Sequence, residues 1–160
     1  MAAVARRQSA VKPKFPVSVL VVVHTPTLEV LLLERAAYPG YWQSVTGSLE
    51  HPDEALEAAA LREVGEETGL QAQAESLRRL QLTYTYEIFP EWRHRFAPGT
   101  THNVEHVFGL QVPAPFGPVL APREHRAACW LDWRNAVARC FSWSNRDAIH
   151  LLAERLDDRR

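Results

Sequence analysis

The stretch REVGEETGL, residues 62–70, carries three glutamates within five positions, Glu63, Glu66 and Glu67. Residues three and four apart lie side by side on a helix, so these carboxylates are expected to share one face. Repulsion between exposed like charges costs roughly a few tenths of a kcal/mol per pair. A bound divalent cation would offset that repulsion, and a solvated acidic face is the alternative interpretation.

This stretch ends a longer helical pattern, which is predicted over residues 52–68. Leu56, Ala60 and Val64 recur every four residues and form one apolar stripe. A proline and two acidic residues suit the first turn, and Gly69 suits the left-handed position that follows a helix. The carboxylates are therefore expected on a helix whose opposite face packs on a core.

Composition limits the class of protein and its partners. The chain has 160 residues, 46% hydrophobic and 23% charged, with a net charge of −1. This composition is typical of one globular domain, and it provides no overall basic field for nucleic acid or an anionic membrane. Cys129 and Cys140 form no Cys-x-x-Cys pair, so a thiolate zinc site and a disulfide framework are not expected. The N-terminus lacks the apolar run of a secretory signal, which favours a cytoplasmic protein, with an organellar transit peptide as the weaker alternative.

The remaining pattern predicts a mixed sheet with one central and one C-terminal helix. The first two strands are expected to form a hairpin, and a long polar loop is expected over residues 90–103. A flexible segment is expected over residues 1–13 and a single α+β domain over residues 14–157. Strands are predicted over 17–24, 30–35, 41–47, 80–89, 104–112 and 127–133, and the last helix over 142–156, with Ser144 and Asp147 as its capping pair.

Glu54, followed after seven residues by REVGEETGL, resembles the signature of the Nudix hydrolases. The chain departs from that signature once, because Gly47 lies seven residues before Glu54 rather than six. The extra residue falls in the loop before the helix, where an insertion is cheap. The resemblance implies a Nudix-type α/β/α sandwich with a curved mixed sheet. It also implies metal-dependent hydrolysis of phosphoric anhydride bonds.

The resemblance also implies roles for the charged residues of the helix. Arg62 is the structural member, and Mg²⁺ is the expected cation, with Mn²⁺ as the alternative. A further metal ligand or general base outside the helix is usual in the family. Glu124 is favoured for it, and Glu105 is the competitor. The predicted catalytic and metal-binding set is Glu63, Glu66, Glu67 and Glu124.

Three further segments narrow the resemblance to bacterial Nudix pyrophosphatases that act on dihydroneopterin triphosphate. They stand together with FPVSVLVVV (15–23) and are YWQSVTGSLE (41–50), EIFPEWRHRFAPGTTHNVEH (87–106) and FSWSNRDAI (141–149). The implied reaction releases pyrophosphate and leaves the pterin monophosphate, a step of folate biosynthesis. Trp92 is the aromatic residue expected to touch a flat pterin. The implied substrate-binding residues are Lys14, Arg35, Thr46, Arg93 and Ser142.

Two alternatives remain open at this level. The first is a Nudix enzyme that hydrolyses deoxynucleoside triphosphates or diadenosine polyphosphates. The second is a non-catalytic binding protein with the same fold, which the intact set of glutamates disfavours. The expected partner is in each case a small-molecule pterin or nucleoside triphosphate, and the protein is expected to be a monomer.

Overall fold

The computed structural model describes residues 11–159, so most of the N-terminal segment predicted to be flexible lies outside the described residues. Within this range no helix combines the length and apolarity needed to cross a membrane. Two 3₁₀ turns cover Ala74–Ser76 and Pro90–Arg95. The strands are β1 (Val17–His24), β2 (Glu29–Arg35), β3 (Trp42–Gln43), β4 (Val45–Ser48), β5 (Leu77–Glu87), β6 (His102–Gln111) and β7 (His125–Asp132); the helices are α1 (Leu56–Thr68), α2 (Trp133–Arg139) and α3 (Trp143–Asp157).

The strands form one mixed sheet in the order β3-β2-β1-β6-β5, with β4 also paired to β1 and β7 to β2. β1 runs parallel to β6, and the other pairs are antiparallel. β1 and β2 pair only at His24 and Val30, next to their turn. The predicted hairpin therefore exists only at its tip, because β2 takes β7 as its long partner while β1 takes β4 and β6.

A layer of helix covers each face of the sheet, as the predicted sandwich requires. Side chains alternate along β1, so that Val19 and Val21 belong to the core beneath α1. Leu20 and Val22 point the other way, into a second core that includes Ile149 of α3. This arrangement confirms the predicted α+β class and places the acidic helix on one side and the C-terminal helix on the other.

The acidic helix begins later than predicted. Residues 51–54 form a turn in which Glu54 N donates to His51 O at 3.1 Å, and α1 starts at Leu56 after Ala55. The predicted first turn is wrong because the Glu54 carboxylate binds the Arg62 guanidinium and is not left free at a helix terminus. The predicted end is confirmed, since Gly69 has φ +76° and its N–H donates to Gly65 O.

Other differences concern local geometry that the hydrophobic pattern does not carry. The strand predicted over 41–47 is interrupted at Ser44, and its two halves pair with different strands. α2 was not expected, although Asp132 caps it through the N–H groups of Arg134 and Asn135. α3 is capped by Ser142, and Ser144 is a buried residue of its first turn.

Candidate active site

The Arg62 side chain donates hydrogen bonds to four residues around α1. Its Nε donates to Glu54 Oε1 at 2.7 Å, and its terminal nitrogens donate to Glu63 Oε1 at 2.9 Å and Glu66 Oε2 at 3.3 Å. The Ser48 carbonyl accepts a further bond at 3.2 Å. The guanidinium lowers the pKa of Glu54, chiefly through the hydrogen bond. Arg62 therefore holds helix, loop and strand β4 together, as expected for its structural role.

Gly47 lets the Glu63 carboxylate lie directly against the backbone of β4. A Cβ atom at position 47 would fall 2.0 Å from Glu63 Oε1, far inside contact distance. The additional residue in the loop before α1 thus leaves this close approach intact. Burial raises the pKa of Glu63 to about 7, although Arg62 opposes that rise.

Glu67 is the most buried carboxylate of the helix, with 3% of its surface exposed. Its Oε2 atom has no hydrogen-bond partner among the described residues. Burial raises its pKa well above the ordinary range, the charges of Glu63 and Glu124 add to this, and the Thr46 N–H opposes it. Such a group is costly unless a cation or a proton compensates it.

Glu67, Glu124 and His125 bring one ligand atom each to within 4.8 Å of one another. His125 is buried, its Nδ1 has no partner in the described part of the chain, and burial lowers its pKa to about 4, with Arg35 adding to the effect. A neutral imidazole beside two carboxylates is a donor set that suits a divalent cation. The close approach of one ligand atom from each residue, and the lack of protein partners for Glu67 Oε2 and His125 Nδ1 among the described residues, fit such an ion.

The four predicted metal ligands do not all lie in that close group. Glu67 and Glu124 belong to it, and Glu63 lies next to it with one oxygen on Arg62. Glu66 is half exposed, and its carboxylate pairs with Arg62. Glu105, the competitor of Glu124 for the additional ligand or base, lies elsewhere in the cavity, on β6 beside Tyr86 and Ser144.

A cavity of about 1220 Å³ joins the acidic group to a basic one. Lys14 is exposed as a residue but lines the cavity, and desolvation and then Arg95 lower its pKa. Arg35 is close enough to Arg95 that their repulsion, after burial, lowers the pKa of Arg35. Three cations next to carboxylates form a suitable environment for a metal-bound polyphosphate.

The structure places Arg93 differently from the sequence-based expectation. Its Nε donates to Ile88 O at 3.0 Å and its terminal nitrogen pairs with Glu87 at 2.5 Å. Arg93 does not line the cavity, whereas Arg95, two residues on in the same 3₁₀ turn, does. Of the three basic residues Arg93, His94 and Arg95, the second and third therefore line the cavity and the first does not.

Aromatic side chains form one wall of the cavity next to the cations. Trp92 Nε1 donates to Tyr38 OH at 2.7 Å, and the Arg35 guanidinium lies 4.7 Å from the Trp92 ring centroid. Phe141 packs edge-on to Trp92 with the ring centroids 6.3 Å apart. Trp92 thus lines the cavity, and its ring is fixed by neighbouring side chains.

Thr46 and Ser142, which are predicted to bind substrate, also line the cavity, and each has a structural bond as well. Thr46 Oγ1 donates to Val19 O at 2.9 Å, and Ser142 Oγ accepts from Asn145 N at 3.3 Å. The Asn145 side chain in turn accepts from Ser44 N at 2.7 Å and donates to Ser44 Oγ at 2.9 Å. These bonds fix the N-terminus of α3 against the break between β3 and β4.

The family model of the NUDIX domain matches residues 14–152. This chain belongs to the Nudix family. The dihydroneopterin triphosphate diphosphatase of Escherichia coli strain K12 is 47% identical over 139 residues, which cover 85% of this chain and 91% of that relative. The Haemophilus influenzae enzyme of the same name is 41% identical over 135 residues, covering 82% and 84%. The solved structure of the E. coli dihydroneopterin triphosphate pyrophosphohydrolase has a TM-score of 0.79 at 46% identity, covering 86% of this chain and 94% of that one.

Membership of the Nudix family explains the acidic helix, because enzymes of this family typically use a divalent metal ion to act on small phosphate substrates. It does not by itself identify the other residues that line the cavity. Sequence reasoning missed His125 and Arg95, although each adjoins a residue or motif that was singled out. It also gave no role to Tyr38 or Asn103, since a lone tyrosine or asparagine in a loop or strand carries no metal or phosphate pattern.

Proposed function

We propose that this chain hydrolyses dihydroneopterin triphosphate to dihydroneopterin monophosphate and pyrophosphate, with Mg²⁺ as its cation and Mn²⁺ as a substitute. The observation that carries the proposal is the single cavity in which the acidic group, three cations and an aromatic wall meet. A flat ring that bears a triphosphate needs all three. The names of the relatives that are 41–47% identical support the same substrate. A place in folate biosynthesis is what the resemblance of the sequence implies.

Glu63, Glu67 and Glu124 would hold the cation, with the His125 imidazole as an additional donor. When bound, the ion neutralises phosphate charge and lowers the pKa of a coordinated water. Lys14, Arg35 and Arg95 bind the polyphosphate oxygens and stabilise the charge that develops on the departing pyrophosphate. These side chains belong to separate segments, and their placement depends on the hydrogen bonds of Arg62 and on the contact between Asn145 and Ser44.

Glu124 is the residue we assign as acceptor of the proton from the attacking water. It is the exposed member of the close group, so solvent reaches it, whereas Glu67 and His125 are buried. Cleavage falls between the α and β phosphates, because the products are a monophosphate and pyrophosphate. Hydrolysis in ¹⁸O-labelled water identifies the attacked phosphorus, since the label enters the monophosphate or the pyrophosphate accordingly.

The test is a substrate panel with the purified protein and Mg²⁺. It contains dihydroneopterin triphosphate, the four deoxynucleoside triphosphates and diadenosine tetraphosphate, and kcat/KM and products are measured for each. We expect the pterin to have the highest kcat/KM and to yield monophosphate and pyrophosphate. A higher kcat/KM for a nucleotide would mean that the nucleotide, and not the pterin, is the substrate. If no compound of the panel were hydrolysed, the binding-protein alternative would be favoured.

A further inference from the structure

Two buried polar side chains of β6, Asn103 and Glu105, line the cavity but have no part in the hydrolysis described above. Only 3% of Asn103 and 4% of Glu105 is exposed. Asn103 Oδ1 and Glu105 Oε1 each lack a hydrogen-bond partner in the described part of the chain. An unpaired buried acceptor costs about 1–3 kcal/mol, so both atoms are suited to receive donors from a ligand.

The surroundings of these atoms are neutral and well ordered. Asn103 Nδ2 donates to Ser18 Oγ at 2.8 Å and to Tyr86 OH at 3.1 Å, which directs its carbonyl oxygen away from that pair. The hydroxyls of Tyr86 and Ser144 lie beside the Glu105 carboxylate, and no arginine or lysine pairs with it among residues 11–159. This end of the cavity therefore offers hydrogen-bond acceptors but no cluster of metal ligands among the described residues. It suits a ligand that carries neutral N–H donors.

Building on the proposed function, we propose that the two unpartnered oxygens, Glu105 Oε1 and Asn103 Oδ1, accept hydrogen bonds from the N3–H and 2-amino donors of the dihydropterin ring. A pterin presents these two donors side by side, and two neighbouring acceptors match such a pair. Guanine presents the same edge, whereas adenine, cytosine and thymine do not. Glu105 is thus a specificity residue for the base-like end of the substrate.

The sheet register gives the distance between this end and the phosphate end. Ser48, Ser18 and Glu105 are aligned across β4, β1 and β6. Thr46, whose N–H bonds the Glu67 carboxylate, lies two residues along β4 on the same face. Two strand spacings across and two residues along correspond to ~12 Å between Thr46 and Glu105. A pterin ring joined to its α-phosphate through a three-carbon side chain is long enough to bridge a separation of this order.

The volume of the cavity agrees with this placement. At about 1220 Å³ it exceeds the range of roughly 300–1,000 Å³ that is usual for small-molecule sites. A triphosphate with its cation fills only the part that carries Lys14, Arg35 and the acidic group. The remaining part, towards Glu105 and Tyr86, leaves room for the ring.

The test compares Glu105→Gln with the wild type on substrates that differ in their donor edge. The amide keeps the size of the side chain but replaces one acceptor by a donor. We expect kcat/KM for dihydroneopterin triphosphate and dGTP to fall about 10- to 100-fold, and kcat/KM for dATP and dCTP to change less than about threefold. The matched control is Glu154→Gln, an exposed acid on α3 outside the cavity, which should leave every value unchanged.

The ratio between substrates is the decisive readout, because a misfolded or merely weakened variant loses activity on all of them equally. Equal losses on all substrates, which leave the ratio between them unchanged, would overturn the proposal. Calorimetric binding of unphosphorylated dihydroneopterin is a second readout, which should be lost in Glu105→Gln and retained in the control. A wild type that prefers dGTP over both the pterin and dATP, with the preference for dGTP over dATP lost in the variant, would overturn the proposed substrate but uphold the role of Glu105.

Discussion

Glu67 and Glu105 lie in the same cavity, are buried to nearly the same extent, and each carries one oxygen without a hydrogen-bond partner among residues 11–159. Their neighbours differ. Glu67 faces the carboxylate of Glu124 and the His125 imidazole, whereas Glu105 faces hydroxyls of Tyr86 and Ser144. An unpartnered buried oxygen indicates that a ligand binds, and the neighbouring groups indicate whether that ligand is a cation or an N–H donor.

The largest expected effect follows from removing the charge of Glu67. In Glu67→Gln the amide keeps the shape but no longer binds a divalent cation as an anion, so we expect kcat to fall by at least about 10²- to 10³-fold. We also expect loss of the rise in Tm that Mg²⁺ produces in the wild type, measured by differential scanning fluorimetry. Glu57→Gln is the control on the same helix, since Glu57 is exposed and pairs with Arg79. Wild-type turnover in Glu67→Gln would contradict the metal assignment.

The next effect concerns the backbone that supports the acidic group. In Gly47→Ala the new Cβ would meet the Glu63 carboxylate at 2.0 Å, and the flexible side chain would move aside. We therefore expect the fold to survive, the Mg²⁺ concentration needed for half-maximal activity to rise, and kcat/KM to fall about 10- to 100-fold. Metal titration of activity and urea unfolding of both proteins measure this. A loss of stability without a shift in metal dependence would show that Gly47 serves packing alone.

The contrast between the two glutamates also predicts a pH dependence of stability. Burial raises the pKa of Glu105 to about 7, so the folded protein binds this proton more tightly than the unfolded chain does. Its carboxylic acid therefore imposes no penalty at pH 4, and a penalty develops as the pH rises from about 4.5 to 7. Tyr86 stays protonated throughout, since burial raises its pKa to about 12.

Between pH 5 and 8, the wild type should lose about 2–3 kcal/mol of unfolding free energy that Glu105→Gln does not lose. Urea unfolding of the metal-free proteins at both pH values measures the difference. Glu63 titrates in both proteins, so its contribution cancels in the comparison. Parallel pH profiles would mean that Glu105 carries no such penalty in the folded state.

The acidic helix could be predicted from sequence because its information is local. Spacing alone placed Glu63, Glu66 and Glu67 on one helix and identified Gly69 as its end. The pairing of β2 with β7 could not be read in the same way, because it joins residues about 100 positions apart and depends on which neighbour β1 accepts. The short helix α2 was missed because seven residues are too few for a periodic pattern to stand out.

The candidate site could likewise be predicted only where its information is local in the sequence. Arg93 and Arg95 are equivalent in the sequence, and only the 3₁₀ turn decides that one pairs with Glu87 while the other lines the cavity. Glu105 was considered only as a rival metal ligand, because its burial depends on β6 lying between β1 and β5 in the sheet. Residues whose role follows from chain-distant neighbours need the fold before they can be interpreted.

The smallest expected effect comes from Gly65→Ala, and it distinguishes Gly65 from Gly47, the other glycine near Glu63. A Cβ at Gly65 would have Gln71 Nε2 at 3.5 Å and Leu70 O at 3.7 Å as its nearest neighbours, which are ordinary contacts. Since alanine is favoured over glycine in a helix by about 1 kcal/mol, Gly65→Ala should raise the free energy of unfolding by about 0.5–1 kcal/mol. Turnover should not change, because Gly65 does not line the cavity. Urea unfolding and the pterin assay measure both quantities, and a loss of turnover comparable to that of Gly47→Ala would mean that the helix itself, rather than the Glu63 contact, sets the sensitivity of this segment.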